Sequence, residues 1–339
     1  MERPDRLIET EAPLRINDIG GWTDTWFARR GRVLNLAVVP AVNVRIEVFG
    51  NPGRDPERVR VRTPGNGGSL TFAPEKPGPA AGPHALLRHS IGALVIPGDV
   101  RLEITVRSPV PAGFATGTSA SVCVALLKGL DRLTGGSRTA DEIAALAHRV
   151  ETEKLGRQCG VQDQIAAARG GVNFIRMTAY PRSEVETLRL GAAAGKNLDR
   201  RLRLVGLGGS RDSAFLHERV IAELGRGAAV RDRLDEMSRL AEEARERLLA
   251  GDVEGYGRIM IANNECQRAL AEGIVPPAAD EVIRIARKHQ ASGWKVNGAG
   301  GSGSSMTLLA SPDETLARAL DLDIGALGQI LLKPRLSAT

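Results

Sequence analysis

PVPAGFATGTSASVCVALLKGL, residues 109–130, divides into two halves of different chemistry. The first is small, flexible and polar; the second is apolar. Just before it, RLEITVRS (101–108) alternates with Leu102, Ile104 and Val106 on one face, which predicts a strand. After it, Val122, Leu126, Leu130 and Leu133 recur at helical spacing, so a helix is expected from about 119. A loop of small residues therefore sits between a strand and a helix N-terminus. Gly113 and Gly117 permit close backbone approach and unusual φ. Thr116, Thr118, Ser119 and Ser121 add hydroxyls. The free N–H groups and the positive end of the helix dipole complete an anion site, most naturally for nucleotide phosphates. An ordinary helix cap needs one Ser or Thr; seven small residues in a row, 115–121, exceed that need. The Gly-Lys-Ser/Thr ending of the common nucleotide loop is absent.

Working outward, the first third reads as strands: LRI at 14–16 and VNVRIEVF at 42–49 alternate. The Pro/Gly-rich stretch 52–83 reads as a long surface excursion. ADEIAALAHRVETEKLG (140–156) predicts a second helix closed by a glycine. GGVNFIRM (170–177) and RLRLVGLG (201–208) are strand candidates. The second half is mainly helical, over 215–249, 253–272 and 279–290, followed by WKV (294–296) and a last strand in QILLKP. Strands, then helices, then a mixture imply an α+β fold with two lobes, 1–195 and 196–339.

Composition removes several function classes. The chain has 339 residues, 42% apolar and 25% charged, as a globular protein with a sizeable core requires. Aromatic residues are 3%, too few to build base-stacking surfaces for single-stranded nucleic acid. The net charge of +6 is dispersed among acidic residues, as in EEARERLL (242–249), and reads as a solvated face that also suits an anionic small substrate. Cys123, Cys159 and Cys266 are far apart, with no CxxC spacing, so neither a disulfide framework nor a zinc site is expected. The N-terminus lacks an apolar core, and no apolar run reaches membrane-spanning length. A cytoplasmic location is expected, with no nucleic-acid or membrane partner.

Two further clusters carry possible chemistry. In NGAGGSGSSM (297–306), Gly298, Gly300 and Gly303 satisfy G-x-G-x-x-G, yet only 36 residues follow Gly303, too few for a dinucleotide-binding half-domain. A tight turn passing close to another loop or a ligand is the sharper reading. In RINDIGGWTDTW (15–26), the glycines 20–21 place a turn after a strand, with Thr23 and Asp24 at its tip, where polar groups can bind the hydroxyls of a sugar or polyol. In GVQDQ (160–164), Asp163 lies between two glutamines, and Glu151 lies twelve residues earlier on the preceding helix. Any one of these carboxylates taken alone reads more readily as a surface ion pair or a helix cap.

Together the clusters resemble the GHMP small-molecule kinases, which include galactokinase, homoserine kinase, mevalonate kinase and phosphomevalonate kinase. APLRIND…GGWTDT (12–25), PAGFATGTSAS (111–121) and NGAGGSGS (297–304) match three motifs of that superfamily in order. GGWTDT followed by RGRVLNLAV, and VETEKLG…GVQDQIAAARGGVNFI (150–175), look most like its fucokinases and D-glycero-D-manno-heptose 7-phosphate kinases. The resemblance implies an N-terminal lobe like ribosomal protein S5 domain 2 and a ferredoxin-like C-terminal lobe. It implies ATP and Mg²⁺, and transfer of the γ-phosphate to a sugar hydroxyl, the anomeric one in the branch it most resembles. Heptose 7-phosphate, giving the 1,7-bisphosphate, is the acceptor it favours, with fucose or a galactose-like sugar as the alternative. A silent ATP and sugar sensor is a further alternative, and a homodimer is compatible.

The resemblance also implies roles. Asp163 would be base or orienting charge at the acceptor hydroxyl, and Arg15 would pair with it or with the transferring phosphate. Asp24, Thr23, Gly21, Gly160 and Gln162 would hold the sugar. Gly113, Ala115, Thr116, Gly117, Thr118, Ser119, Ala120 and Ser121 would wrap the phosphates, supported by the turn at Gly300. Ser119 and Glu151, both hard oxygen donors, would hold Mg²⁺. Ala115, Thr118 and Ser302 depart from the usual glycine, serine and glycine of the motifs. A substrate phosphate would need a basic pocket, for which Arg29, Arg30, Arg88 and Arg211 are candidates.

Overall fold

The computed structural model describes residues 3–64, 68–111, 113–209, 213–226 and 228–339. In chain order its elements are β1 (Arg6–Ile19), β2 (Gly31–Gly50), β3 (Val59–Thr63), β4 (Gly68–Phe72), α1 (Ala85–Ile91), β5 (Val100–Arg107), α2 (Thr118–Leu133) and α3 (Ala140–Arg149). A π-helical turn (Val150–Lys154) leads to α4 (Gln162–Arg169), β6 (Val172–Ala179), β7 (Arg182–Leu188), α5 (Ala192–Arg201) and β8 (Leu202–Gly206). Then come α6 (Ser213–Arg226), α7 (Ala228–Leu249), α8 (Val253–Arg268), α9 (Pro277–Lys288), β9 (Gly293–Val296), β10 (Ser305–Leu309), α10 (Glu314–Ala326), β11 (Leu331–Leu332) and β12 (Arg335–Leu336).

The first lobe is built on an eight-stranded sheet in the order β4-β3-β5-β2-β6-β7, with β1 and β12 also paired to β2. β2 is long enough to bond β6 through Gly31–Leu36 and β5 through Asn43–Gly50. Its stretch 33–38 is buried at every position rather than at alternate ones, so both faces are covered. Helices α2 and α4 pack on β1 and β2, and α7 packs on the same two strands. At the α2 contact Gly129 lies so near Ile46 that a Cβ would come within 2.7 Å of its Cδ1.

The second lobe holds a four-stranded antiparallel sheet, β11-β8-β10-β9. Alternation divides its side chains between two cores. Leu202 and Leu204 join the main core, while Val205 joins Met306, Leu308, Val296 and the apolar faces of α9 and α10. The α+β, two-lobed expectation therefore matches the structure.

Several elements differ from the sequence expectation. The excursion 52–83 contains the β3–β4 hairpin, whose β3 runs parallel to β5 and extends the sheet. β7, α5 and α10 were not anticipated. β7 is an outer strand alternating exposed and half-buried residues, and α5 and α10 are short helices whose periodicity is interrupted by charge. The helix expected over 140–156 ends at Arg149 and gives way to the π-turn.

A buried polar seam joins the lobes at the end of β1. Lys295 of β9, fully buried, reaches Asp18 Oδ1 at 3.0 Å, and Gly298 N donates to the same oxygen at 3.0 Å. Asn17 N donates to Asn297 Oδ1, Asn17 Nδ2 donates to the Tyr256 hydroxyl, and Gly20 N donates to Asn263 Oδ1. The strand-end amides of Asn17 and Gly20 thus find partners across the seam.

Candidate active site

The 113–119 loop closes the wall of a cavity of about 1240 Å³ that opens between the lobes. The carbonyls of Phe114, Ala115 and Thr116 are each held by a donor. Ser305 Oγ donates to Phe114 O at 2.6 Å, Arg15 Nη1 to Ala115 O at 3.2 Å, and Arg15 N to Thr116 O at 2.9 Å. In a trans peptide the following N–H points opposite to the carbonyl. The N–H groups of Ala115, Thr116 and Gly117 therefore point away from these carbonyl partners, in a loop whose residues line the cavity. Helix α2 begins immediately afterwards from Gly117, without a side-chain cap, so its first-turn amides and dipole face the same space. Thr118 and Ser119 line the cavity as well.

The turn geometry explains two small residues. Gly117 has φ 65°, and a Cβ there would lie 3.2 Å from Asp163 Cγ. Ala115, at the position where the family motif carries glycine, is held at φ 57°, a left-handed conformation that costs an alanine about 1 kcal/mol. The conformation is imposed by Arg15 on its carbonyl and by Gly298, whose added Cβ would sit 3.3 Å from the same oxygen.

Asp163 sits in the first turn of α4 and lines the cavity, its side chain about 30% exposed. Arg15, from β1, is buried beneath it. Its Nε and Nη2 both donate to Asp163 Oδ1, at 2.8 and 2.5 Å. Burial works against the guanidinium charge, but Asp163 and then Asp18 hold it protonated. Asp24 is buried beside them. It accepts from Gln162 N at 3.1 Å and from Gln162 Nε2 at 3.3 Å, and burial pushes its carboxyl up to about 6. Gly160 passes so close to Asp24 that a Cβ would lie 2.0 Å from Oδ2.

Glu151 is carried by the π-turn, which brings its carboxylate to the first turn of α2. It accepts from Ser119 Oγ at 3.2 Å and from Gln164 Nε2 at 3.0 Å, with Arg157 Nη1 at 3.5 Å. Burial pushes the Glu151 carboxyl above its usual range. Among the described residues no cluster of three or more His, Cys, Asp or Glu side chains could hold a metal by itself. Ser119 and Glu151 do offer two adjacent hard oxygens at the cavity wall. That fits a magnesium ion, which takes one or two protein oxygens and completes its shell from phosphates and water.

Other sequence candidates lie behind the wall. Thr23 Oγ1 donates to Gly20 O and Arg32 O. Gly21 packs against Asp18, and a Cβ there would lie 2.2 Å from Oδ2. Ala120 is buried, and Ser121 Oγ donates to Pro13 O at 2.7 Å. Gly300 packs on the Ile274 carbonyl. Of the basic candidates, Arg29 and Arg30 are exposed outside the cavity, and Arg88 spends its fork on the carbonyls of Pro77, Pro79 and Pro83. Arg211 lies outside the described residues.

The cavity also contains groups the sequence did not single out: Arg157, His84, and His217, the last packed edge-on to Trp22 at 5.2 Å and Trp26 at 5.4 Å. Arg157 was readable only as one charge in a loop, and His217 as one helical histidine. Tyr180 holds the loop from outside, donating to Cys159 O at 2.9 Å with His148 Nε2 3.0 Å from its hydroxyl. Burial pushes the Cys159 thiol above its usual range.

Residues 84–171, which include α1, the loop and Asp163, match the family described as GHMP kinases N terminal domain. The chain is 27% identical over 344 residues to a bifunctional fucokinase/GDP-fucose pyrophosphorylase of Arabidopsis thaliana, a match over 91% of this chain and 31% of that protein. It is 27% identical over 199 residues to a D-glycero-alpha-D-manno-heptose 7-phosphate kinase of Campylobacter jejuni, covering 58% of each chain. The chain thus spans less than two thirds of the length of either relative. Its fold superposes on the Methanococcus jannaschii mevalonate kinase with a TM-score of 0.77 at 18% identity, over 98% of both chains. The two-lobed fold is that of the mevalonate kinase it superposes on, and the match to the GHMP kinase N-terminal domain covers 84–171. No helix among the described residues is long and apolar enough to cross a membrane.

Proposed function

We propose that this chain, carrying the GHMP kinase N-terminal domain, is an ATP-dependent carbohydrate kinase. It would transfer the γ-phosphate to a sugar hydroxyl, at the anomeric carbon, with D-glycero-D-manno-heptose 7-phosphate as the favoured acceptor. The observation that carries the reading is the placement of Asp163. Arg15 occupies one of its oxygens from below, while the carboxylate borders the cavity directly beside the amide-lined loop.

In this reading the nucleoside rests on the apolar flank formed by Leu86, Leu87, Val106, Val110 and Val122, with its phosphates over the loop amides and the start of α2. Such amides stabilise the equatorial oxygens as charge develops, without reorganising. Ser119 and Glu151 would hold Mg²⁺, which supplies positive charge between the phosphates when bound. Asp24 and Gln162 would take sugar hydroxyls. The acceptor oxygen attacks the γ-phosphorus, the bond to the departing ADP oxygen breaks, and the hydroxyl proton passes to the Asp163 carboxylate. Arg15 fixes the orientation of that carboxylate, the part a positioning charge plays in an in-line displacement.

The same cavity would serve fucose or a galactose-like sugar. An ADP-release assay over heptose 7-phosphate, fucose, galactose and mevalonate separates these acceptors. Turnover dependent on a sugar supports the reading, and ATP binding with no turnover on any of them contradicts it.

A further inference from the structure

Glu151 is nearly fully buried, and its carboxylate needs compensating charge. The two neutral donors, Ser119 Oγ and Gln164 Nε2, supply hydrogen bonds but no charge. The only cation near it among the described residues is Arg157, whose Nη1 lies 3.5 Å from Oε2, the same oxygen that Ser119 contacts. That distance makes an ion pair without a close hydrogen bond. The Arg157 side chain is 45% exposed and lines the cavity, so it has room to move. Its backbone is fixed: Arg157 N donates to Glu151 O at 2.9 Å, and Gly156 before it has φ 63°. The guanidinium is thus tethered beside the carboxylate while its head remains loosely held.

We infer that Arg157 is an exchangeable counter-ion of Glu151: it balances the carboxylate in the ligand-free protein and yields that place to the divalent cation when the nucleotide phosphates arrive. The inference rests on the reading of Ser119 and Glu151 as the cation site. Once displaced, the guanidinium remains tethered at the cavity wall, where the nearest anions are the incoming phosphate oxygens. A planar fork is suited to them. One residue then guards the empty site against a bare cation and helps hold the cation–nucleotide complex.

This double role gives Arg157→Gln two effects of opposite sign. Binding of Mn²⁺ alone, followed by electron paramagnetic resonance without nucleotide, should tighten about fivefold, the range of a half-exposed ion pair. Binding of a non-hydrolysable ATP analogue with Mg²⁺, followed by calorimetry, should weaken about tenfold, as loss of a charge-assisted contact requires. If both affinities fall together, Arg157 merely shapes the loop, and the inference is overturned. Unchanged Mn²⁺ affinity also overturns it. Glu151→Gln separates this from the underlying reading: it should abolish Mn²⁺ binding, and if it does not, the cation site itself is wrong.

Discussion

Arg15 places both Nε and Nη2 on a single oxygen of Asp163, Oδ1, at 2.8 and 2.5 Å, instead of bridging both carboxylate oxygens. A guanidinium usually grips a carboxylate in a two-oxygen fork. Here the third nitrogen is diverted, with Nη1 donating to Ala115 O at 3.2 Å and lying 3.4 Å from Asp18 Oδ1. One side chain therefore ties together the carboxylate, the anion loop and the inter-lobe seam. A change at Arg15 should disturb all three.

The seam itself depends on Lys295. Although burial works the other way, Lys295 and then Arg15 hold the Asp18 carboxyl below its usual range. Lys295→Met leaves a buried carboxylate short of a partner and should cost roughly 3–5 kcal/mol, measured by denaturant unfolding. The sign with pH follows from the lowered native value. The stabilisation from Asp18 is fully present at neutral pH and is lost as pH falls from about 4 toward that value. The Met variant should show a flatter acid limb than the parent.

Ala115 and Gly117 occupy neighbouring left-handed positions with different constraints. Ala115→Gly should stabilise the protein by up to about 1 kcal/mol, since relief of the left-handed strain exceeds the added freedom of the unfolded chain. Nucleotide affinity should remain within about threefold, because the peptide orientation is fixed by its carbonyl partners. Gly117→Ala instead presses a methyl against Asp163, and kcat should fall about tenfold or more from misplacement of the carboxylate. Thermal melts and steady-state kinetics check both.

Asp24 predicts two pH effects of opposite direction. Its native carboxyl is raised to about 6 by burial, so the folded state binds the proton more tightly than the unfolded chain. Acidification from pH 7 to 5 therefore adds stability from this group, roughly 1.3 kcal/mol, with the remainder of a total of about 3 kcal/mol arriving only as pH falls through the unfolded value near about 4. Acceptor binding should worsen over the same range, because a protonated Asp24 accepts sugar hydroxyls poorly. A KM for sugar that rises as pH falls through about 6, with no matching loss of stability, is the expected pattern. A KM independent of pH would remove Asp24 from the acceptor site.

The strand–loop–helix unit around 109–130 was legible because its three periods are local: alternation, a run of small residues, then helical spacing. Asp163, Arg15, Asp24, Ser119 and Glu151 were also nameable, and the structure brings all five to one cavity. What the sequence hid is direction. Thr23 and Ser121 look like loop hydroxyls, but each is turned inward to a backbone carbonyl, and only the fold decides which side of a turn faces solvent. Lys295 stood in a strand-like WKV with its partner 277 positions away, so its full burial could not be read locally. The hairpin β3–β4 was masked by flanking prolines and glycines, although RVRVRT alternates, because its pairing partner β5 lies some forty residues on. Arg157 gains meaning only once the π-turn sets Glu151 beside it.

The central claim is that Asp163 acts on the acceptor hydroxyl while the loop and α2 hold ATP, and Asp163→Asn tests it most directly. Sugar-dependent ADP release and calorimetric ATP binding should be measured on the same folded preparation, verified by circular dichroism. The account predicts a loss in kcat of about 10³-fold with an ATP Kd within about threefold of the parent. An Asn variant that turns over sugar at the parent rate would contradict it.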